Sequence, residues 1–231
     1  MPSVEIPERI LRYLEFAQAN PALFETPPGA VRILLEPAEI EQVERVIGRN
    51  LAAQGLDPRW AEVGVVFQDP WFFVLRDAVE FPDGSRRTHA RSINRIGDGA
   101  AALPVLDGRI ALLRHFRHAT RRWMREIPRG GIEPGQTPEQ TVVQELREEI
   151  GAVATRVERL GFLYGSANLY ASGAHLFFAE IASVGEPQLG EGIDSIDLVT
   201  PAEFERLLLE GEILDSFTVA AFTHARLRGL V

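Results

Sequence analysis

The chain has 231 residues, 45% of them hydrophobic and 25% charged, with a formal net charge of -9. That length accommodates one large domain, or a standard domain with an extension, and the composition is that of a folded protein. So acidic a chain is a poor match for nucleic acid, which needs clustered cations, and apolar runs such as 100–106 are too short for a membrane span. No cationic start followed by an apolar stretch marks a secretion signal. Cysteine is absent, which removes disulfides and thiolate metal sites. These features together give the expectation of a cytoplasmic protein. All 24 basic residues other than histidine are arginine, which removes Schiff-base chemistry on lysine.

In chain order, residues 1–58 read as a helical extension. Pro7 suits the first turn of a helix with Ile10, Leu11, Leu14 and Ala17 on one face. A second helix starting near Pro37 gathers Ile40, Val43, Ile47 and Leu51 and stops before Gly55. Five arginines against nine acids in this segment argue for a packing or dimer-supporting role over DNA binding. Residues 59–98 read as antiparallel strands. The apolar period shifts to two over 63–67 and 71–81, Pro82-Asp83-Gly84-Ser85 makes a hairpin turn, and the partner strand runs over 86–93. Residues 99–231 form the third section. Strands at 99–105 and 109–116 flank Asp107-Gly108, a helix covers 138–150, and strands follow near 157–163 and 175–181. Helices over 201–210 and 216–226 close the chain. Hairpins mixed with helices indicate an α/β sandwich with a mixed sheet.

The chemistry sits in residues 130–152, GGIEPGQTPEQTVVQELREEIGA. Thr137 is a good N-cap, Pro138 fits the first helical position, Gln140 completes a capping box, and Gly151 is a natural stop. Glu145, Glu148 and Glu149 stand at i, i+3 and i+4 on one face, with Val142, Val143, Leu146 and Ile150 on the other. Three carboxylates so close repel one another unless a cation sits between them, and a hard divalent ion meets that need. A solvated acidic face is the plainer reading of a bare E-x-x-E-E. The glycine-rich loop, capped start and terminal glycine in order argue for the metal.

This segment resembles the Nudix box, G-x5-E-x7-R-E-U-x-E-E-x-G-U. Gly130, Glu145, Leu146, Glu148, Glu149 and Gly151 match with every spacing intact. Gln136 and Gln144 replace the box's glutamate and arginine, and Ala152 is smaller than usual. The two glutamines can replace the family's bracing ion pair by a hydrogen bond without leaving a charge uncompensated. Further runs, Val79 to Gly84, Ile110 to Arg117, Trp123 to Pro128 and Gly211 to Ser216, resemble the ADP-ribose pyrophosphatase branch. Ser166-Ala167-Asn168 departs from its usual Ser-Pro-Gly.

The resemblance implies a Nudix-type α/β/α sandwich with a mixed sheet, preceded by the helical extension and antiparallel strands. It implies Mg²⁺, with Mn²⁺ as the alternative, held by Glu145, Glu148, Glu149 and the Arg129 carbonyl. Glu191 or Asp194, in a glycine-flanked acidic loop, would supply the general base, with Glu145 as the other choice. Between 109 and 129, seven arginines and two histidines face one acid, a patch suited to gripping a diphosphate. Arg117, Arg122, Trp123, Glu126 and Gly130 are the expected substrate contacts, although Trp123 also fits core packing and Glu126 a salt bridge. The expected reaction cleaves ADP-ribose to AMP and ribose 5-phosphate. An NDP-sugar or dinucleotide substrate, or a non-catalytic nucleotide-binding regulator, stays open. A homodimer is also implied.

Overall fold

The computed structural model describes residues 6–231, so the first five residues of the expected extension lie outside it. Two compact units emerge, one of residues 6–95 with 166–171, the other of residues 96–165 with 172–231.

The first unit is a small sheet covered by two helices. α1 spans Glu8–Ala19, β1 Arg32–Ile33, α2 Pro37–Ala53, β2 Gly64–Gln68, β3 Phe72–Glu80 and β4 Arg86–Asn94. β3 is central, with β4 antiparallel on one edge and β2 and β1 sharing the other. The face of α1 is phased differently from the expectation. Ile10, Tyr13 and Ala17 are buried while Leu11 is 44% exposed. Spacings of three and four both fit a helix period, and Tyr13 wins because its hydroxyl finds Asp77, donating to Oδ1 at 2.5 Å. A buried phenol needs such a partner. Arg91 holds the same carboxylate at 2.7 Å, so the buried Asp77 is paired. Residues 166–171 belong to this unit through Ser92, whose amide donates to the Leu169 carbonyl at 2.7 Å.

The second unit is a seven-stranded sheet between helices. Its elements are β5 Gly99–Leu106, β6 Arg109–Arg117, β7 Arg122–Glu126, β8 Arg129–Gly131, α3 Pro138–Ile150, β9 Ala154–Tyr164, β10 Gly173–Ile181, β11 Ile193–Val199, α4 Pro201–Leu209 and α5 Ser216–Leu227. The strand order is β11-β6-β5-β10-β9, with β7 on β6 and β8 on β5. β5 and β10 are parallel and the other pairs antiparallel, so the sheet is mixed. β10 shows how the layers form. Leu176 and Phe178 join the cluster with Phe204 and Phe222 of α4 and α5, while Phe177 and Ala179 join Leu146 and Ile150 of α3. Each fully buried large apolar side chain here stabilises the fold by roughly 1.5–3 kcal/mol. β5 is buried on both faces, which explains its unbroken run of alanines at 100–102. Asp107 and Gly108 turn the β5–β6 hairpin with φ of 48° and 74°, the left-handed pair a two-residue turn requires.

β7, β8 and β11 were not expected. β7 and β8 are short and rich in arginine and glycine. β11 begins within the glycine-flanked acidic segment, and a bulge between Ile193 and Ser195 breaks its alternation.

Candidate active site

α3 is built as its sequence dictates. The Thr137 hydroxyl accepts from the Gln140 amide at 3.2 Å and the Gln140 side chain accepts from the Thr137 amide at 2.8 Å. Gly151 closes the helix at φ +58. The faces differ from the simple division. Glu149 is 2% exposed and sits inward beside Leu146 and Ile150, whereas Val143 is 46% exposed. What admits a carboxylate there is the Arg129 amide of β8, which donates to Glu149 Oε2 at 2.9 Å.

Glu145 lies over the same strand. Its carboxylate rests against the Gly130 Cα so closely that a Cβ there would overlap it, a physical reason for glycine at that point. Glu148 turns outward and accepts from Gln144 Nε2 at 3.0 Å. Gln144 Oε1 in turn accepts from Gln136 Nε2 at 2.8 Å, and Gln136 Oε1 from the Thr141 hydroxyl at 2.9 Å. The neutral brace anticipated between Gln136 and Gln144 is therefore present, and it continues to Glu148.

The electrostatics of this flank are unbalanced. Burial, then the charges of Glu148, Glu191 and Glu133, push Glu145 up to about 7. Burial pushes Glu149 up to about 8, with Glu145 and Glu191 adding to it and the Arg129 amide and the Arg117 charge opposing it. Among the described residues, no three carboxylate or imidazole groups stand already converged on one point as a metal site. Glu145 and Glu149 are brought together, Glu191 and Glu133 are near enough to act on them, and Glu148 stays at the rim. Crowded oxygen donors of one sign are what a hard divalent cation neutralises, with few carboxylates and the remaining positions left to phosphate and water. The donor set therefore fits such an ion.

The two base candidates separate. Glu191 acts on Glu145 and Glu149, whereas Asp194 lies on β11 and pairs with Arg114 at 2.5 Å. The basic patch is less free than its local count suggests. Arg125 pairs with Glu212 at 2.7 Å and Arg129 with Asp215 at 2.6 Å. Glu126 is fully buried and receives Arg117 Nε at 3.1 Å and Arg129 Nη2 at 3.1 Å. Burial raises the Glu126 carboxyl and the two guanidinium groups oppose that rise. Arg122 is exposed on β7. Trp123 is 46% exposed, with the Arg114 guanidinium 4.3 Å from its ring centre and Phe116 edge-on at 5.4 Å. It is not a core residue.

Three participants had not been singled out. Glu133 lies in the loop before α3, Asp215 caps α5 while gripping Arg129, and His115 is buried against Glu126. Glu133 stands between the glycines and the helix, and His115 and Asp215 fall within the runs 110–117 and 211–216, with nothing there to show their partners. Asp215 depends on a contact across 86 residues, and His115 on one made across the β6–β7 hairpin.

The NUDIX domain model matches residues 96–218. An ADP-ribose pyrophosphatase of Bacillus subtilis (strain 168) is 31% identical over 154 residues, covering 65% of this chain and 82% of that protein. A methanol dehydrogenase activator of Bacillus methanolicus is 31% identical over 157 residues, covering 66% and 83%. A crystal structure of an ADP compounds hydrolase shares the fold, with a TM-score of 0.63 at 22% identity over 73% of this chain and 93% of that one. The chain belongs to the NUDIX family of hydrolases.

Proposed function

We propose that this chain hydrolyses the diphosphate of a nucleoside diphosphate linked to a second moiety, with ADP-ribose as first substrate and AMP and ribose 5-phosphate as products. The observation that carries the reading is a pair of repelling carboxylates on one helix face, the half-buried Glu145 laid against the side-chain-free Gly130 and the buried Glu149 held by the Arg129 amide. A bound divalent ion, Mg²⁺ or Mn²⁺, would neutralise the diphosphate charge and acidify a water. Glu145 and Glu149 would hold it, with Glu148 and the Arg129 carbonyl completing the set.

The chain's own groups do the rest. Glu191 takes the proton as the water oxygen attacks phosphorus and the bond from that phosphorus to the bridging oxygen breaks. Gly130 leaves room for the phosphate beside Glu145. Arg117, fixed by Glu126, and the exposed Arg122 place positive charge along the diphosphate. The open face of Trp123 stacks on a base. Glu126 itself serves by holding Arg117 and Arg129, and Asp194 by holding Arg114. The proposal includes a homodimer.

The test is product release from ADP-ribose, NDP-sugars, NADH and dinucleoside polyphosphates with Mg²⁺. ADP-ribose is expected to turn over fastest, and Glu145→Gln or Glu149→Gln to abolish turnover. Near-normal rates in either variant contradict the site. A second reading, a nucleotide-binding regulator, is favoured by Gln136 and Gln144 in place of the box's charged pair. Tight ADP-ribose binding without hydrolysis would select it.

A further inference from the structure

Residues 127–129 join β7 to β8, and their backbone groups are taken up by three different elements. The Pro128 carbonyl accepts from the Ala102 amide of β5 at 3.1 Å. The Arg129 amide donates to Glu149 of α3 at 2.9 Å. The Ile127 amide donates to the Thr218 hydroxyl of α5 at 3.0 Å. A buried amide needs a partner, and here a helix side chain supplies it.

The first turn of α5 does more than start its own helix. Asp215 is the N-cap, its Oδ2 accepting from the Thr218 amide at 2.9 Å and from the Thr218 hydroxyl at 2.8 Å. Its Oδ1 accepts from Arg129 Nη1 at 2.6 Å. Arg129 Nη2 reaches Glu126 Oε2 at 3.1 Å, and the guanidinium lies 5.3 Å from the centre of the Phe217 ring. Thr218, Glu126 and Asp215 are all buried. The start of α4 shows what a cap alone requires, since Thr200 and Glu203 satisfy each other within one turn. At α5 the capping carboxylate grips the Arg129 side chain and the hydroxyl grips the Ile127 backbone. Because the hydroxyl also donates to the carboxylate, the two grips act as one clamp on the segment that carries the Arg129 amide.

We infer that Asp215 and Thr218 are positioning residues, which fix residues 127–129 so that the Arg129 amide meets Glu149. This rests on the proposed hydrolase reading, in which Glu149 holds the divalent ion. Groups that orient a metal ligand are worth on the order of 10–100-fold in metal affinity. Asp215 and Thr218 act through the backbone, so losing either is expected to weaken Mn²⁺ binding by about 10-fold, the lower end of that range. Thr218→Val keeps the shape and removes the acceptor of the Ile127 amide. Asp215→Asn keeps one oxygen for Thr218 and turns an amide nitrogen toward Arg129. Thr218→Ser retains the hydroxyl and restores the clamp.

The experiment reads Mn²⁺ affinity by electron spin resonance, without substrate, in the unaltered chain, Thr218→Val, Thr218→Ser, Asp215→Asn and Glu149→Gln. Metal-free hydrogen exchange of the Arg129 amide is followed in the same chains. The amides of β10 serve as the reference, because they report opening of the whole sheet. Thr218→Val and Asp215→Asn are expected to speed exchange at Arg129 relative to β10 and to weaken Mn²⁺ binding, and Thr218→Ser to do neither. Should Thr218→Val fail to fold, Asp215→Asn decides. Relative exchange that stays the same without the clamp overturns the inference, as does unchanged Mn²⁺ affinity or a Thr218→Ser chain as impaired as Thr218→Val. An unaltered chain that binds Mn²⁺ no better than Glu149→Gln removes the metal reading itself. Relative exchange at Arg129 then still decides whether the first turn of α5 holds that amide.

Discussion

Glu149 is buried and Glu145 half-buried, both without a full counter-charge, and this has a measurable consequence. Their folded-state values, about 7 and about 8, exceed the ordinary 4.5, so the folded chain binds more protons than the unfolded one in that window. Metal-free stability from these groups should therefore fall as pH rises from 4.5 through those values. A divalent ion displaces the protons, and its stabilisation should grow over the same range. Thermal unfolding with chelator and with Mg²⁺ checks this. A metal effect independent of pH would count against both carboxylates as ligands. The glutamine brace gives a second test. Gln136→Glu alone sets a charge beside the neutral Gln144 amide, and Gln144→Arg alone, though its guanidinium can meet Glu148, removes the oxygen that accepts from Gln136 Nε2; a polar group left unpaired costs roughly 1–3 kcal/mol. Either single change should lower kcat and the unfolding midpoint, and the double change should recover both. Equal tolerance of the single changes would remove the brace from the account. The triplet and the brace were legible in the sequence because they are set by spacing within one helix and its loop. The partners of Arg114, Arg125 and Arg129 were not, since Asp194, Glu212 and Asp215 lie 80, 87 and 86 residues away.

Among the elements, α3 was the most legible, with its limits at Pro138 and Ile150 fixed by capping chemistry. Thr137→Ala should cost about 1 kcal/mol, read as a lower unfolding midpoint, with the site otherwise intact. Gly130→Ala acts on the other side of the site. A Cβ there overlaps the Glu145 carboxylate, so turnover should drop by on the order of 100-fold with little change in unfolding. Full activity in this variant would mean that Glu145 need not lie over β8. The inward turn of Glu149 was not legible, because helical periodicity places it on the flank of the apolar stripe and only the Arg129 amide draws it inside. β11 was hidden by its bulge, which put Asp194 in a strand where a loop was expected.

At the scale of the whole molecule, the mixed sheet and its two helical layers followed from alternating hairpins and amphipathic helices. The membership of residues 166–171 in the first unit did not, because it rests on pairing with Ser92. No helix among the described residues is long and apolar enough to cross a membrane. The first unit leaves Val66, Phe67 and Trp71 at 48%, 51% and 65% exposure, an apolar group of the kind that marks protein contacts. Light scattering should return the mass of two chains, and Phe67→Asp with Trp71→Asp the mass of one. An unaltered chain that scatters as a single copy would remove the dimer. The most direct test of the central claim is anomalous diffraction from manganese in crystals holding a non-hydrolysable ADP-ribose analogue. Metal should appear between the Glu145 and Glu149 carboxylates and a diphosphate oxygen. An analogue bound with no metal on that flank of α3 would contradict the account.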